Sequence, residues 1–514
     1  MSQPNWLQRM FTPKDVASLL AEQASNPDAL KRSLGAFDLI IFGIGAMIGA
    51  GIFVITGAAA VGGSGHPGAG PSLVLSFLLT AIISGFCALC FAELGAMIPL
   101  SGSAFAYIYA SLGQFPAWLV AWALVLEYAV GNMAVAVGWT ATFQAFLKQT
   151  FHVNLPDWLC RNTLDTVTDL AAIPASGVLS VTPFKLPLVD QSYYLLVQAG
   201  FNLPSIITMM VVTWLLVLGI SESARSAMVM VLIKAGVILL FVGVGLWYLL
   251  NGHWPVLEAN WFEHGMKTFA PNGIQGILAG AGLIMFAYIG FDAVSTVAEE
   301  SKNPQRDLPV GIAGALLVCT VLYCLVAVVV TAILPLQHIS IEAPVMGVLQ
   351  ALGMPWATWV IGLGTIIALS SVLLVFQLGT VRVFYAVARE GLFPKNWAKV
   401  HPTFKTPHVA TIASGILVAL GGATLPINLL AEMCNLGTLA IYAIVCVAVL
   451  ILRKTQPDLP RPFKVPFGPV IPVLGLLGCA TVMAGLPALS WMLTLLWFAV
   501  GIIIYSVYLA KSAL

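Results

Sequence analysis

Twelve stretches of this 514-residue chain run apolar for about 20 residues each, the length that carries a helix across a lipid bilayer. Their approximate limits are 37–62, 71–98, 115–147, 197–220, 226–250, 274–298, 309–335, 354–386, 407–423, 426–452, 469–488 and 490–511. Inside lipid every backbone N–H and C=O needs a partner within the protein, and a continuous apolar run of this length meets that demand as a helix. Composition agrees. Hydrophobic residues make up 60% of the chain, charged residues 8%, and the mean hydropathy is +0.97. A soluble chain carries about a quarter charged residues. The net charge of +1 leaves no electrostatic footprint for nucleic acid. The chain therefore reads as an all-α polytopic membrane protein.

Lys and Arg placement orients it. With the N-terminus inside and the spans alternating, seventeen of the 22 basic residues fall on the cytoplasmic side. Lys148, Arg161, Lys185 and Lys267 fall outside, and Lys234 is left in mid-membrane. Both termini are then cytosolic. Residues 1–36 form a polar lead-in rather than a signal peptide, with a helical tendency around DVASLLAEQ. The loop at 148–195 faces out and reads as a tolerated insertion, with a gate cap as the alternative. Seven of the eight cysteines lie in or beside apolar runs, and the CxxC at Cys87 and Cys90 reads as small packing residues.

An ionisable group within a span is costly and marks function by default. Glu127 in ALVLEYAVG, Lys234 in VLIKAGVILL and Asp292 in FAYIGFDAV are the three that stand out. The alternative is that they pair with one another or with backbone for stability. Glu93 and Glu432 sit nearer span ends, and Glu299, Glu300 and Asp307 read as loop charges. Desolvation pushes a buried lysine to lose its proton, while carbonyl neighbours favour keeping it. Such a group exchanges protons and does the work of a sodium ion without sodium.

The first span carries GIGAMIGAGIF, residues 43–53, with four glycines at its midpoint. Glycine weakens a helix interior by roughly 1 kcal/mol per residue. One reading is close helix packing. The other is a break that lines a cavity, exposing N–H groups for a carboxylate at one half-helix and carbonyls for an ammonium at the other. A second glycine-bearing interruption, Gly282 and Gly290 around GAGLIMFAYIGFDAV, lies in the sixth span. First and sixth spans are corresponding members of two five-helix halves, so the pair points to a midplane transport site.

These segments resemble the cationic amino acid transporter branch of the amino acid–polyamine–organocation superfamily, in its bacterial form. The resemblance runs from Leu34 nearly to the end, through FAELGAMIPLSGSAFAYIY, LEYAVGNMAVAVGW, VRVFYAVAREGLFP and RPFKVPFGPVIPVLGLLGC. Its strongest part is FAYIGFDAVSTVAEE followed by NPQRDLP. It implies a 5+5 inverted-repeat core with broken first and sixth helices, at 37–250 and 274–452, and two further helices at 469–511. It also implies proton-coupled amino acid uptake across the cytoplasmic membrane, driven by the proton gradient with no bound cofactor. The substrate carboxylate would meet N–H groups of Gly49, Ala50 and Gly51. Its ammonium would meet carbonyls near Met47, Phe286 and Ile289, with Phe286 also an aromatic gate. Asp292 and Glu127 would shape the site and its gating. Lys234 would bridge the Gly49 carbonyl region to the eighth span at Ser370 or Ser371. Many members read GTGIF where this chain has Ala50, so a hydroxyl is missing and the head group is held by backbone alone. Exchange or facilitation without protons, a membrane amino acid receptor, and a small accessory subunit remain open on sequence grounds.

Overall fold

The computed structural model describes residues 10–13, 16, 32–63, 66–100, 103–167, 177–186, 192–219, 224–389, 394–404 and 406–512. The helical tendency near residue 20 falls outside these, apart from Val16. Among the described residues eight helices are long and apolar enough to cross a membrane, and a bent pair makes a ninth. Three shorter helices, Leu203–Val217, His408–Thr424 and Val470–Ala484, stand where the fourth, ninth and eleventh spans are expected. The architecture is that of a multi-pass helical membrane protein.

The first, second, sixth and seventh spans pack on one another. Against them stand the third and eighth, the fifth on the eighth, and the fourth on the ninth. The tenth span, Ile427–Thr455, touches the second, third and sixth. Residue volumes explain the tight fit where the two interrupted spans meet. A Cβ on Gly51 would lie 2.6 Å from the Cβ of Ala287, so the start of the second half of the first span sits directly on the sixth.

Within the insertion at 148–195, β3 (Leu164–Val167), β4 (Val178–Lys185) and β5 (Ser192–Gln198) form an antiparallel sheet in the order β3-β5-β4. The aromatic and aliphatic residues of SYYLLVQ suit a strand, and Tyr193, Leu196 and Gln198 are buried. Consequently the fourth span starts at Leu203 rather than 197, capped by Asn202, whose side chain accepts from Ser205 N at 3.2 Å. Asn202 also donates to Asn162 and accepts from Thr140 of the third span, which ties the sheet to the bundle. A two-residue hairpin, β1 (Gly62–Gly63) with β2 (His66–Pro67), leaves the first span at the same end.

The charges near span ends are structural. Glu93 is buried and held by Arg453, by Arg461 at 3.8 Å, and by the N–H of Val465 at 2.7 Å. Glu432 accepts from Ser490 and lies 3.5 Å from His66. Asp307, read as a loop charge, is buried and accepts from Asn303 N at 3.1 Å, closing the start of the seventh span. Cys87 lies 3.5 Å from Cys479 and 3.9 Å from Cys446, a packed contact of three helices.

Candidate functional site

The first span is a helix over Ala36–Met47 and again over Gly51–Val61, bent by 46° between them. Ile48 has ψ of 104°, which stops the first half. The second half opens as a π-helix, Gly51–Ile55, and the N–H groups of Ile52 and Phe53 turn back to Gly49 O at 3.3 Å. A helix start leaves N–H groups open, and here these are at Ala50 and Gly51. The glycine run thus marks a real interruption.

The sixth span breaks beside it. Its helix ends at Tyr288, Ile289 is extended, and Gly290 takes φ of +117°. A Cβ on Gly290 would lie 2.8 Å from the carbonyl carbon of Ala46. Both features admit only glycine at that position. The helix resumes at Ala293. Gly282, the other glycine singled out by sequence, lies inside the intact helix and not at the break.

Around these breaks the candidate residues are buried, apart from the half-buried Ser370. Met47, Ala50, Phe286, Ile289, Asp292, Glu127 and Lys234 are each no more than 4% exposed, and Gly49 and Gly51 are buried too. Lys234, from the fifth span, donates from Nζ to Gly45 O at 2.9 Å. That is one turn before the Gly49 carbonyl expected from sequence, since Gly49 O already serves Ile52 and Phe53. On the eighth span Ser370 donates to Ile366 O at 2.8 Å and accepts from Trp139 Nε1 at 2.9 Å, while Ser371 is buried beside it.

Asp292 stands in the unwound turn, where its Oδ1 accepts from Gly290 N and from Tyr442, each at 3.2 Å. Its carbonyl accepts from Ser295, whose hydroxyl also meets Ser103 at 2.6 Å. Glu127 sits in a π-helical turn, Leu126–Val130. Such bulges re-aim side chains and recur at functional sites. Its Oε2 accepts from Thr438 at 2.8 Å, and its Oε1 has no hydrogen-bond partner. A buried carboxylate oxygen without a partner costs about 1–3 kcal/mol, more when charged.

Several residues here were missed from sequence. Tyr323 of the seventh span donates to Met47 O at 2.8 Å, so the carbonyl offered to an ammonium already has one donor. Asn435, Thr438 and Tyr442 of the tenth span also reach the site. Their spacing, three and then four residues, is the readable signal: a polar stripe on an otherwise apolar helix.

Chemically the site offers open N–H groups, carbonyls with spare lone pairs, two carboxylates and one ammonium, all shielded from water. Comparison with known proteins gives the family. The family model described as amino acid permease matches residues 34–510. The branched-chain amino acid permease BcaP of Bacillus subtilis is 41% identical over 505 residues, covering 98% of each chain. The methylthioribose transporter of Bacillus subtilis is 37% identical, covering 98% of this chain and 99% of its own. The vacuolar cationic amino acid transporter 4 of Arabidopsis thaliana is 35% identical over 87% of this chain and 67% of its own. The chain belongs to the amino acid permease family and is a transporter, not an enzyme.

Proposed function

We propose that the protein is an amino acid:proton symporter of the cytoplasmic membrane, with both termini cytosolic, working by alternating access. The zwitterionic head of the substrate lies between the two breaks. Its carboxylate takes the N–H groups of Ala50 and Gly51, and its ammonium takes carbonyls of Met47, Phe286 and Ile289. Tyr323 then shares the Met47 carbonyl with the substrate. Because every one of these groups is buried, substrate enters only when the spans around the breaks move apart, on one side at a time.

The observation that carries the coupling is the Lys234 Nζ bond to Gly45 O, inside the half-helix that ends at Met47. A protonated Lys234 fastens the fifth span to that half-helix. Loss of the proton toward the cytosol turns a charged donor into a neutral amine, weakens the tie and lets the half-helix swing. Charged hydrogen bonds are about twice as strong as neutral ones, so protonation alone biases the position.

The test is purified protein in liposomes under an imposed pH gradient, comparing wild type with Lys234→Ala. Wild-type uptake rises with an inward gradient, and the variant loses that dependence while keeping counterflow. Uptake that ignores the gradient in wild type identifies a proton-independent exchanger. Binding with no flux identifies a receptor. Two of the relatives are named for branched-chain and for cationic amino acids, which share a head group and differ in side chain, so the head-group clamp leaves side-chain choice to the surrounding walls.

A further inference from the structure

The tenth span is one uninterrupted helix, Ile427–Thr455, and it grips both broken elements of the site. Asn435 donates from Nδ2 to the carbonyls of Gly282 and Leu283, at 2.7 and 3.2 Å, in the half of the sixth span before its break. Tyr442 donates to Asp292 Oδ1 in the unwound turn after that half. Between them Thr438 donates to Glu127 Oε2, and Cys434 to the Glu127 carbonyl at 3.3 Å. Positions 435, 438 and 442 fall on one stripe and span about 10 Å of helix axis.

We infer that Asn435, Thr438 and Tyr442 are the positioning residues of the transport site, a splint that fixes the two sides of the sixth-span break relative to each other and to the Glu127 carboxylate. The inference rests on the reading of the two breaks as the transport site. The turn is closed on itself by short local bonds, Ala293 N to Gly290 O at 3.1 Å and Gly290 N to Asp292 Oδ1 at 3.2 Å, but the extended Ile289 interrupts the ladder to the preceding half, so the direction of one side relative to the other depends on a neighbour. A rigid helix bonded above and below the gap supplies it. Thr438 also decides how Glu127 presents itself, because it holds Oε2 and leaves Oε1 bare. The same stripe leaves Asn435 Oδ1 without a partner, so two buried acceptors remain on this seam.

Tyr442 is packed for the role. Its ring makes an edge contact with Phe91 at 5.5 Å and a tilted one with Phe291 at 4.8 Å. Tyr442→Phe therefore removes the hydroxyl and keeps the ring packing. Thr438→Val removes a hydroxyl at constant shape, and Thr438→Ser keeps the hydroxyl at reduced shape.

The experiment uses full-length protein in liposomes and counterflow of radiolabelled L-isoleucine, L-arginine and L-alanine, with thermal unfolding midpoints measured alongside. Tyr442→Phe and Thr438→Val are expected to raise the apparent KM for the best-carried probe about tenfold, one charge-assisted hydrogen bond's worth. Their unfolding midpoints fall modestly, because a buried carboxylate oxygen loses a donor in each, and Thr438→Ser recovers both a KM and a midpoint nearer wild type than Thr438→Val. If wild type carries a probe and Thr438→Val matches Thr438→Ser, with Tyr442→Phe unmoved in KM, the inference falls and the transport reading stands. If wild type carries none of the three, the reading of the breaks as an amino acid site falls, and the inference with it.

Discussion

Gly290→Ala separates a functional break from mere glycine content. At φ of +117° an L-residue is strained, at about 1–2 kcal/mol, before any contact is considered. The new Cβ would then lie 2.8 Å from the carbonyl carbon of Ala46, 2.9 Å from its oxygen and 3.1 Å from its Cβ. Two of these are backbone atoms and cannot rotate away, so the first and sixth spans must part, at about 1–3 kcal/mol for overpacking. The sum, about 2–5 kcal/mol, should appear as a lower unfolding midpoint in detergent-purified protein. The same displacement pulls the breaks apart, so KM for transport rises as well. Gly236→Ala is the control, two residues from Lys234 on the fifth span. Nothing lies within 4 Å of its Cβ, the residue is exposed and helical, and alanine there gains up to about 1 kcal/mol. If Gly290→Ala unfolds at or above the wild-type midpoint, or behaves as Gly236→Ala does, the account of the break is wrong.

Two further outcomes follow from the ends of the bundle. Arg453→Ala leaves the buried Glu93 carboxylate short of its main cation and should cost about 3–5 kcal/mol in thermal stability; Arg453→Ala with Glu93→Gln should cost less than the two single changes added together. Burial holds the His66 imidazole below its ordinary 6.5, against a smaller raising effect from the Pro67 backbone, so the fold favours the neutral ring although Glu432 lies 3.5 Å away. The unfolded chain then binds the proton more readily, and stability present above pH 6.5 is lost as the pH falls below it. Unfolding midpoints from pH 8 to pH 5 should decline more steeply in wild type than in His66→Gln, and parallel curves would remove His66 from the explanation.

Much of the helical plan was readable because a bilayer imposes a length. Runs of about 20 apolar residues have few ways to hide their backbone, so span number and approximate limits follow from hydropathy alone. The folded insertion was not readable on those terms. Its strands are four to eight residues long, and over so short a length hydropathy alternation is a weak signal. At the site, the break in the first span was marked by glycine density and the break in the sixth by Gly290. Gly282 misled, because a glycine inside an intact helix looks the same in a sequence as one beside a break. Asp292, Glu127 and Lys234 announced themselves by the cost of a charge in lipid. Tyr323, Asn435, Thr438 and Tyr442 did not, since hydroxyls and amides are common in spans and their meaning depends on which helix they face.

That difference explains what a transporter sequence declares about its cargo. A carboxylate and an ammonium are shared by every amino acid, and on the proposed reading backbone groups at the two helix breaks hold them. Backbone groups need only glycine and a local interruption, both of which leave a mark in one segment. On the proposed binding mode Ala50 brings no hydroxyl, so the N–H groups alone would meet the carboxylate there. On the proposed binding mode, discrimination between cargoes falls to walls contributed by distant segments. Glu127 and Thr438 meet across 311 residues of chain, and Asp292 and Tyr442 across 150. Such pairs acquire chemical meaning only after folding, because each partner alone is an ordinary residue on an ordinary helix. The common part of recognition is therefore local and legible, and the selective part is built from contacts between spans. It follows that changing side chains on the tenth span should alter which amino acid is carried more readily than changing Ala50.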